Sequence, residues 1–288
     1  MILMQPRVAR HALPMPHGWS RMVTDTMKTV KLTLEYDGTG FHGFQKQPDG
    51  AVRTVQGELE AALCALAGRP VQVHVAGRTD AGVHAMGQVV SFEWSGCVPA
   101  ERVAPALGPL LPPDLAATHS EAAPEGFHAQ FSAVAKTYAY LCYAARHPAP
   151  LLRHRALHVP PAFDPERAAA ALAPFTGTHD FSAFENAGSS PRDPVKTIHA
   201  FTLELHPPFF VFLVTGSGFL YRQVRNMAGA AVEAGLGKTD AQGVARALES
   251  RDRSLGGPTL PAHGLYMVRV FYDPDSVRHE FAPWAVAQ

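Results

Sequence analysis

In Val30-Lys31-Leu32-Thr33-Leu34-Glu35-Tyr36, the side chains of Val30, Leu32, Leu34 and Tyr36 alternate with Lys31, Thr33 and Glu35. This is the period-two pattern of a half-buried strand. Asp37-Gly38-Thr39-Gly40-Phe41-His42-Gly43 follows directly, and Gly38 to Gly43 spells G-x-G-x-x-G. Behind a strand, that motif marks a dinucleotide fold only if a helix opens there and aims its N-terminal N–H groups at a pyrophosphate. The following residues include the turn Gln47-Pro48-Asp49-Gly50, and no helix signal appears before Thr54. A doubly wound parallel sheet is therefore set aside. The glycines read instead as a tight turn needing positive φ, or as a loop presenting Phe41, His42, Phe44 and Lys46 to a ligand.

Downstream, Thr54 is an N-cap for a helix through about Ala67, with Val55, Leu59, Leu63 and Leu66 on its apolar face and Gly68 as the stop. Val71, Val73 and Val75 alternate as a second strand, and Val90, Phe92 and Trp94 mark a third. Ala100 to Leu107 is a short helix. A similar order recurs. Thr137 to Tyr143 is a strand, and Asp164-Pro165 caps a helix reaching Phe175. Thr197 to Leu205 and Phe209 to Thr215 form a hairpin. Phe219 to Leu236 is a helix, and Thr239 with Gln242 is a capping box for another. Leu265 to Tyr272 is a last strand. Two strand-helix-strand halves imply an α+β architecture of two similar lobes with antiparallel sheets. The boundaries read as an irregular tail over 1–27, lobes over 28–130 and 131–275, and a C-terminal tail over 276–288. Five of the eight methionines fall at or before Met27, so the tail reads as a dispensable extension or Met27 as the natural start.

The 288 residues are 47% hydrophobic and 17% charged, a globular composition that excludes disorder, collagen and coiled coil. No apolar run is long enough for a membrane span, and the first 27 residues lack the core of a secretory signal. Cys64, Cys97 and Cys142 form no C-x-x-C pair, which points to reduced thiols in the cytoplasm and against a cysteine zinc or redox site. His74 and His84 lack a further ligand at metal spacing. Lys plus Arg and Asp plus Glu each number 25, which argues against coating nucleic acid by bulk charge. The charges are uneven, however: residues 28–130 hold 7 basic and 11 acidic side chains, and residues 131–230 hold 9 and 6.

Three segments can carry chemistry. Gly77-Arg78-Thr79-Asp80-Ala81-Gly82 follows a strand and leaves Asp80 sterically open between small residues. Such a carboxylate suits nucleophilic or general-base work, with a nearby guanidinium favouring its ionised form. It equally suits an Arg78–Asp80 loop salt bridge or an Asp-stabilised turn. With Asp37 it could make a carboxylate pair, but the Asp-Thr-Gly order of an aspartic protease is absent at both places. In Gly216-Ser217-Gly218-Phe219-Leu220-Tyr221-Arg222-Gln223-Val224-Arg225, a turn leads into a helix whose Arg222 and Arg225 share one face. They form a phosphate clamp, an arginine reaching Asp80, or a solvated face. Tyr138 and Tyr140 lie on one strand face, as a base-stacking platform or as core.

Taken together, the ordered blocks resemble the TruA family of tRNA pseudouridine synthases. They run from Leu32-Thr33-Leu34-Glu35-Tyr36-Asp37-Gly38-Thr39-Gly40-Phe41-His42-Gly43-Phe44-Gln45 through Thr54-Val55-Gln56-Gly57-Glu58-Leu59-Glu60 to Gly77-Arg78-Thr79-Asp80-Ala81-Gly82-Val83-His84-Ala85. Phe127-His128-Ala129-Gln130-Phe131-Ser132-Ala133, Tyr138-Ala139-Tyr140 and Gly177-Thr178-His179-Asp180-Phe181-Ser182-Ala183-Phe184 follow. Val224-Arg225-Asn226-Met227-Ala228-Gly229 and Gly264-Leu265-Tyr266 complete the set. The resemblance implies an isomerase that converts uridine to pseudouridine in the tRNA anticodon arm, at positions 38, 39 and 40. It implies no metal or organic cofactor, a homodimer, and two ferredoxin-like lobes whose sheets join across a basic central cleft. Asp80 stands at the family's catalytic aspartate, Tyr138 at the tyrosine against the target base, and Arg225 at the aspartate's basic partner. Leu265 stands at the apolar residue beside the base, and Arg78 at the arginine linked to RNA handling and base flipping. The alternatives are a tRNA-binding and folding module without catalysis, and a nucleotide-dependent oxidoreductase using the Gly38 loop.

Overall fold

A computed structural model describes residues 27–47, 50–188 and 193–281. Most of the expected N-terminal tail, and the last seven residues of the C-terminal one, lie outside them. The first half of the chain supplies β1 (Lys28–Tyr36), α1 (Val55–Ala67), β2 (His74–Val75), β3 (His84–Trp94), α2 (Val103–Leu107) and β4 (Leu115–Ala122). The second supplies β5 (Ala135–Ala144), β6 (Leu157–Val159), α3 (Pro165–Ala170), β7 (Gly177–Asp180), β8 (Val195–His206) and β9 (Phe209–Gly216). It closes with α4 (Gln223–Gly235), α5 (Ala241–Ser250) and β10 (Leu265–Phe271).

The fold is α+β, as read from the sequence. The strands form one sheet in the order β4-β1-β3-β10-β5-β9-β8-β7, with β2 on β3 and β6 on β5. The pairs are antiparallel except β10 with β3 and β5 with β6. The last strand is the seam: Tyr266 and Met267 pair with His84 and Ala85 of β3, while Leu265 to Phe271 pair with Tyr140 to Ala135 of β5. The main core holds β1's Val30, Leu32 and Leu34, α1's Leu59 and Leu63, and α4's Met227 and Ala231, each fully buried. A small cluster of Ala139, Val211 and Leu213 lies apart from it, with Phe281 packed against it. His279 bonds Thr202 and Thr215, so the segment read as a C-terminal tail lies along β8 and β9.

Local chemistry explains most elements and several departures. Thr54 caps α1 by accepting from the Gly57 N–H, and Gly68 ends it at φ 69°. The valine-rich second strand shrinks to His74–Val75, because Val71 and Val73 are buried without pairing to the sheet. β4 was not legible: Leu-Ala-Ala-Thr-His-Ser-Glu-Ala lacks alternation, as an edge strand with few buried positions permits. The helix from Pro165 ends at Ala170, and a 3-10 turn covers Ala173–Phe175; Pro174 has no N–H to continue the α ladder. α5 is capped by Asp240, which accepts from the Gly243 N–H, and not by Thr239. The helix opens at Ala241, so the N-cap position falls on Asp240, one residue after Thr239, and the expected capping box does not form.

Candidate active site

The glycine loop after β1 is mostly packing. Asp37 caps a 3-10 turn over Gly38–Gly40, and Phe41 and Phe44 are 3% and 1% exposed. The loop therefore buries both rings, although His42 is exposed and lines the same cleft as Asp80. Gly43 alone of its glycines has positive φ, at 88°. Gly38 serves a close approach instead: a Cβ there would sit 2.0 Å from the Val83 carbonyl oxygen. Among the described residues the loop leads into no α-helix before Val55, which removes the dinucleotide reading.

What the loop packs against is the segment carrying Asp80. The Ala76 carbonyl accepts from Lys136 Nζ at 2.7 Å, and the Gly77 carbonyl from Gln88 Nε2 at 2.8 Å. The Thr79 carbonyl accepts from the Phe44 N–H at 3.0 Å and the Asp80 carbonyl from the Val83 N–H at 3.1 Å. Thr79 Oγ1 and Tyr36 Oη lie 2.8 Å apart in a buried hydrogen bond. Gln88 is fully buried, so losing its partner would cost about 1–3 kcal/mol. These bonds hold the backbone around Asp80 while its side chain keeps 23% exposure.

Asp80 Oδ2 accepts from Arg225 Nη1 at 2.7 Å, and Arg225 Nε donates to the Leu260 carbonyl at 2.7 Å. One guanidinium is thus fixed at two points. The expected Arg78–Asp80 bridge does not form. Arg78 makes no salt bridge among the described residues, and it is exposed on the same cleft. Arg222 does not share a helical face with Arg225. The helix starts at Gln223, four residues later than expected, and Arg222 is its N-cap at φ 60°, ψ 11°. Gln223 turns its side chain back to accept from the Leu220 N–H at 2.8 Å, which holds Phe219 to Arg222 out of the helix. In that left-handed conformation Arg222 Nε comes 3.8 Å from Asp80 Oδ2 and, though buried, hydrogen-bonds nothing. Backbone strain of this kind costs on the order of 1–3 kcal/mol and gathers at functional sites.

Tyr138 on β5 is 7% exposed, its ring edge-on to Phe219 at 5.2 Å. Desolvation first, then the neighbouring Tyr36 and Asp80, push its phenol far above the ordinary tyrosine range. It keeps its proton at neutral pH, so at rest it can stack on a ring or donate a hydrogen bond. Tyr140, on the same face, is core: its hydroxyl donates to the Pro261 carbonyl at 2.7 Å. Leu265 opens β10 at 7% exposure opposite Tyr140. Asp80, Arg78, Tyr138, Arg225 and Leu265 all line one open cleft of about 850 Å³. Lys136 and Arg222 also line it, and Asp80 is the only acid among its described lining residues.

The family model for tRNA pseudouridine synthase matches residues 33–132 and 171–273. The chain belongs to the tRNA pseudouridine synthase family. It is 44% identical over 246 residues to tRNA pseudouridine synthase A of Acetivibrio thermocellus, covering 85% of this chain and 100% of that one. The enzyme of the same name from Streptococcus mutans is 43% identical over 250 residues, covering 86% of this chain and 100% of the relative. That of Bacillus subtilis is 43% identical over 246 residues, covering 85% and 99%. A solved Cbf5-Nop10-Gar1 complex aligns with a TM-score of 0.32 at 11% identity, over 70% of this chain and 45% of that one. In this pseudouridine synthase the matched segments include the Asp80 loop, α4 and β10. The sequence reading left Tyr36, Gln88, Lys136 and Phe219 without a role. Lys136 had a visible signal, since it sits two residues from Tyr138 on one strand face. Gln88 had none: a lone glutamine within a strand does not announce which carbonyl it will meet.

Proposed function

We propose that Asp80 starts the isomerisation of uridine to pseudouridine in tRNA, as nucleophile or base, in the cleft between the two halves of the sheet. The reaction breaks the C1′–N1 bond, turns the uracil and joins C5 to C1′; the proton released from C5 is matched by one taken up at N1, so the change is a net isomerisation that needs no oxidant, reductant or group donor. Arg225 orients the Asp80 carboxylate. Tyr138 lies against the uracil and donates a proton where one is needed, and Leu265 packs beside the ring. A uridine in a stem cannot reach this floor, so the nucleotide flips out at a cost of a few kcal/mol. Arg78, exposed and unpaired with Asp80, serves that step from the rim. The target is the anticodon arm at positions 38, 39 and 40. The enzyme works as a homodimer of two-lobed chains, with lobes over 28–130 and 131–275.

The observation that carries this reading is the 2.7 Å Arg225–Asp80 contact on a cleft also lined by Tyr138 and Leu265. A lost active site in a mere tRNA-folding module would not need a carboxylate so held. The test is incubation of unmodified tRNA with purified protein and no added cofactor, followed by mapping of pseudouridine. Product confined to positions 38–40 is expected; product elsewhere refutes the target, and none at all refutes the reaction.

A further inference from the structure

Outside the Asp80 constellation, the same cleft carries three aromatic rings in a row. His74 on β2 lies 4.8 Å from His128, tilted by 40°. His128 stacks on Phe131 at 4.4 Å and 29°. All three line the cleft with Asp80, and Phe131 is 79% exposed. An aromatic ring this bare needs an explanation beyond chance, because large aromatics dominate burial and binding energetics.

The ring is not bare because its turn is loose. The His128 N–H donates to Ser132 Oγ at 3.0 Å, and the Ser132 N–H to the His128 carbonyl at 2.9 Å. The Ala129 N–H donates to Ser91 Oγ of β3 at 3.0 Å, and its carbonyl accepts from Tyr272 Oη at 2.9 Å. Phe127 packs on Tyr272 at 4.8 Å. His128 Nδ1 accepts from the Gln130 N–H at 3.1 Å, which fixes the imidazole beneath Phe131. The platform is ordered before anything binds, which lowers the cost of binding.

We propose that the Phe131–His128–His74 row is a stacking platform for an unpaired nucleobase of the tRNA, distinct from the uridine that reaches Asp80. This rests on the proposed function, since tRNA must occupy the cleft. Every base has a π-face, so stacking is tolerant of sequence. That tolerance suits an enzyme whose proposed targets are three neighbouring positions, 38 to 40, each of which brings a different base to the platform. Burial and the neighbouring His74 hold His128 below the ordinary histidine range, so a neutral ring backs Phe131 at neutral pH.

The experiment measures pseudouridine formation on an anticodon stem-loop RNA by the parent and by Phe131→Ala, Phe131→Leu and Phe131→Trp, at two salt concentrations. Base–aromatic stacking implies a rise in KM of at least about five-fold for Phe131→Ala. The value of kcat stays unchanged, since the contact exists before and during the reaction. Phe131→Trp keeps the parent KM and Phe131→Leu falls between. The fold-change persists at high salt, unlike that of a phosphate contact. A KM unchanged in Phe131→Ala overturns the platform while leaving the proposed function intact. So does a sedimentation shift from the parent's size, which assigns the ring to contact between two copies. Failure of the parent to make pseudouridine refutes the proposed function instead.

Discussion

Arg225 divides its guanidinium between the Leu260 carbonyl and Asp80 Oδ2. A lysine keeps the charge but cannot hold both acceptors in fixed geometry. Arg225→Lys is therefore expected to lower kcat at least about ten-fold with little change in KM, the pattern of a contact that matters mainly in the transition state. Steady-state kinetics on tRNA checks it; equal kcat values would leave Arg225 without an orienting role. The small residues around Asp80 marked it as sterically open, but only the family resemblance singled it out as the candidate. Its partner was not decidable from spacing, since Arg78, Arg222 and Arg225 all competed for it. Only the tertiary placement of α4 over the loop separates them, and it leaves Arg78 on the rim.

The start of α4 shows where an element departs from its pattern. Leu220, Val224, Met227 and Ala231 repeat at helical spacing, yet the helix opens only at Gln223. The periodicity counts Leu220 because it is buried at 5%, but burial does not require a helical backbone. Arg222 pays in strain for reaching Asp80, and glycine occupies its conformation freely. Arg222→Gly is expected to leave stability unchanged or raise it by up to about 1 kcal/mol, while lowering kcat/KM. Thermal unfolding and kinetics together check this. A marked loss of stability would mean that the arginine's contacts, including its place over the Tyr221 ring at 4.7 Å, outweigh the strain. Strands and helices with buried alternation or a clean cap were readable in advance. β4 was not, because an edge strand with few buried positions leaves no periodic mark, and the second strand was over-read, because the alternating burial of Val71 and Val73 does not require pairing to the sheet.

Across the whole molecule, charge is sorted. Basic and acidic residues balance at 25 each, yet the cleft holds Arg78, Lys136, Arg222 and Arg225 against Asp80. Sequence totals alone cannot show this, although the basic excess in residues 131–230 hinted at it. A second charged cluster ties the halves together. Arg155 Nη2 and Nη1 reach the two Asp37 oxygens at 2.6 and 2.8 Å. His84 Nδ1 lies 3.1 Å from Asp37 but also accepts from the Gly38 N–H at 3.0 Å. With its pKa lowered chiefly by burial, that imidazole is neutral, and the contact is not an ion pair. Burial opposes ionisation of Asp37, but the hydrogen bonds from Arg155 and Thr39 outweigh it and hold the carboxyl well below the usual range. Both groups bind fewer protons folded than unfolded, so both favour the fold at higher pH. The His84 contribution is complete above about 6.5 and fades below it; that of Asp37 is complete above about 4 and is lost as pH falls through its folded value. Arg155→Ala is expected to unfold at higher pH than the parent in an acid titration followed by circular dichroism. Coincident curves would show that the latch adds nothing to stability.

The most direct measurement compares Asp80→Asn with the parent on the same unmodified tRNA, reading binding and pseudouridine separately. The substitution keeps the shape and removes the charge and basicity of the group that Arg225 holds at 2.7 Å. Binding within a few-fold of the parent, with conversion slowed at least about 100-fold, is the expected outcome. Pseudouridine formed at the parent's rate by Asp80→Asn would contradict the account.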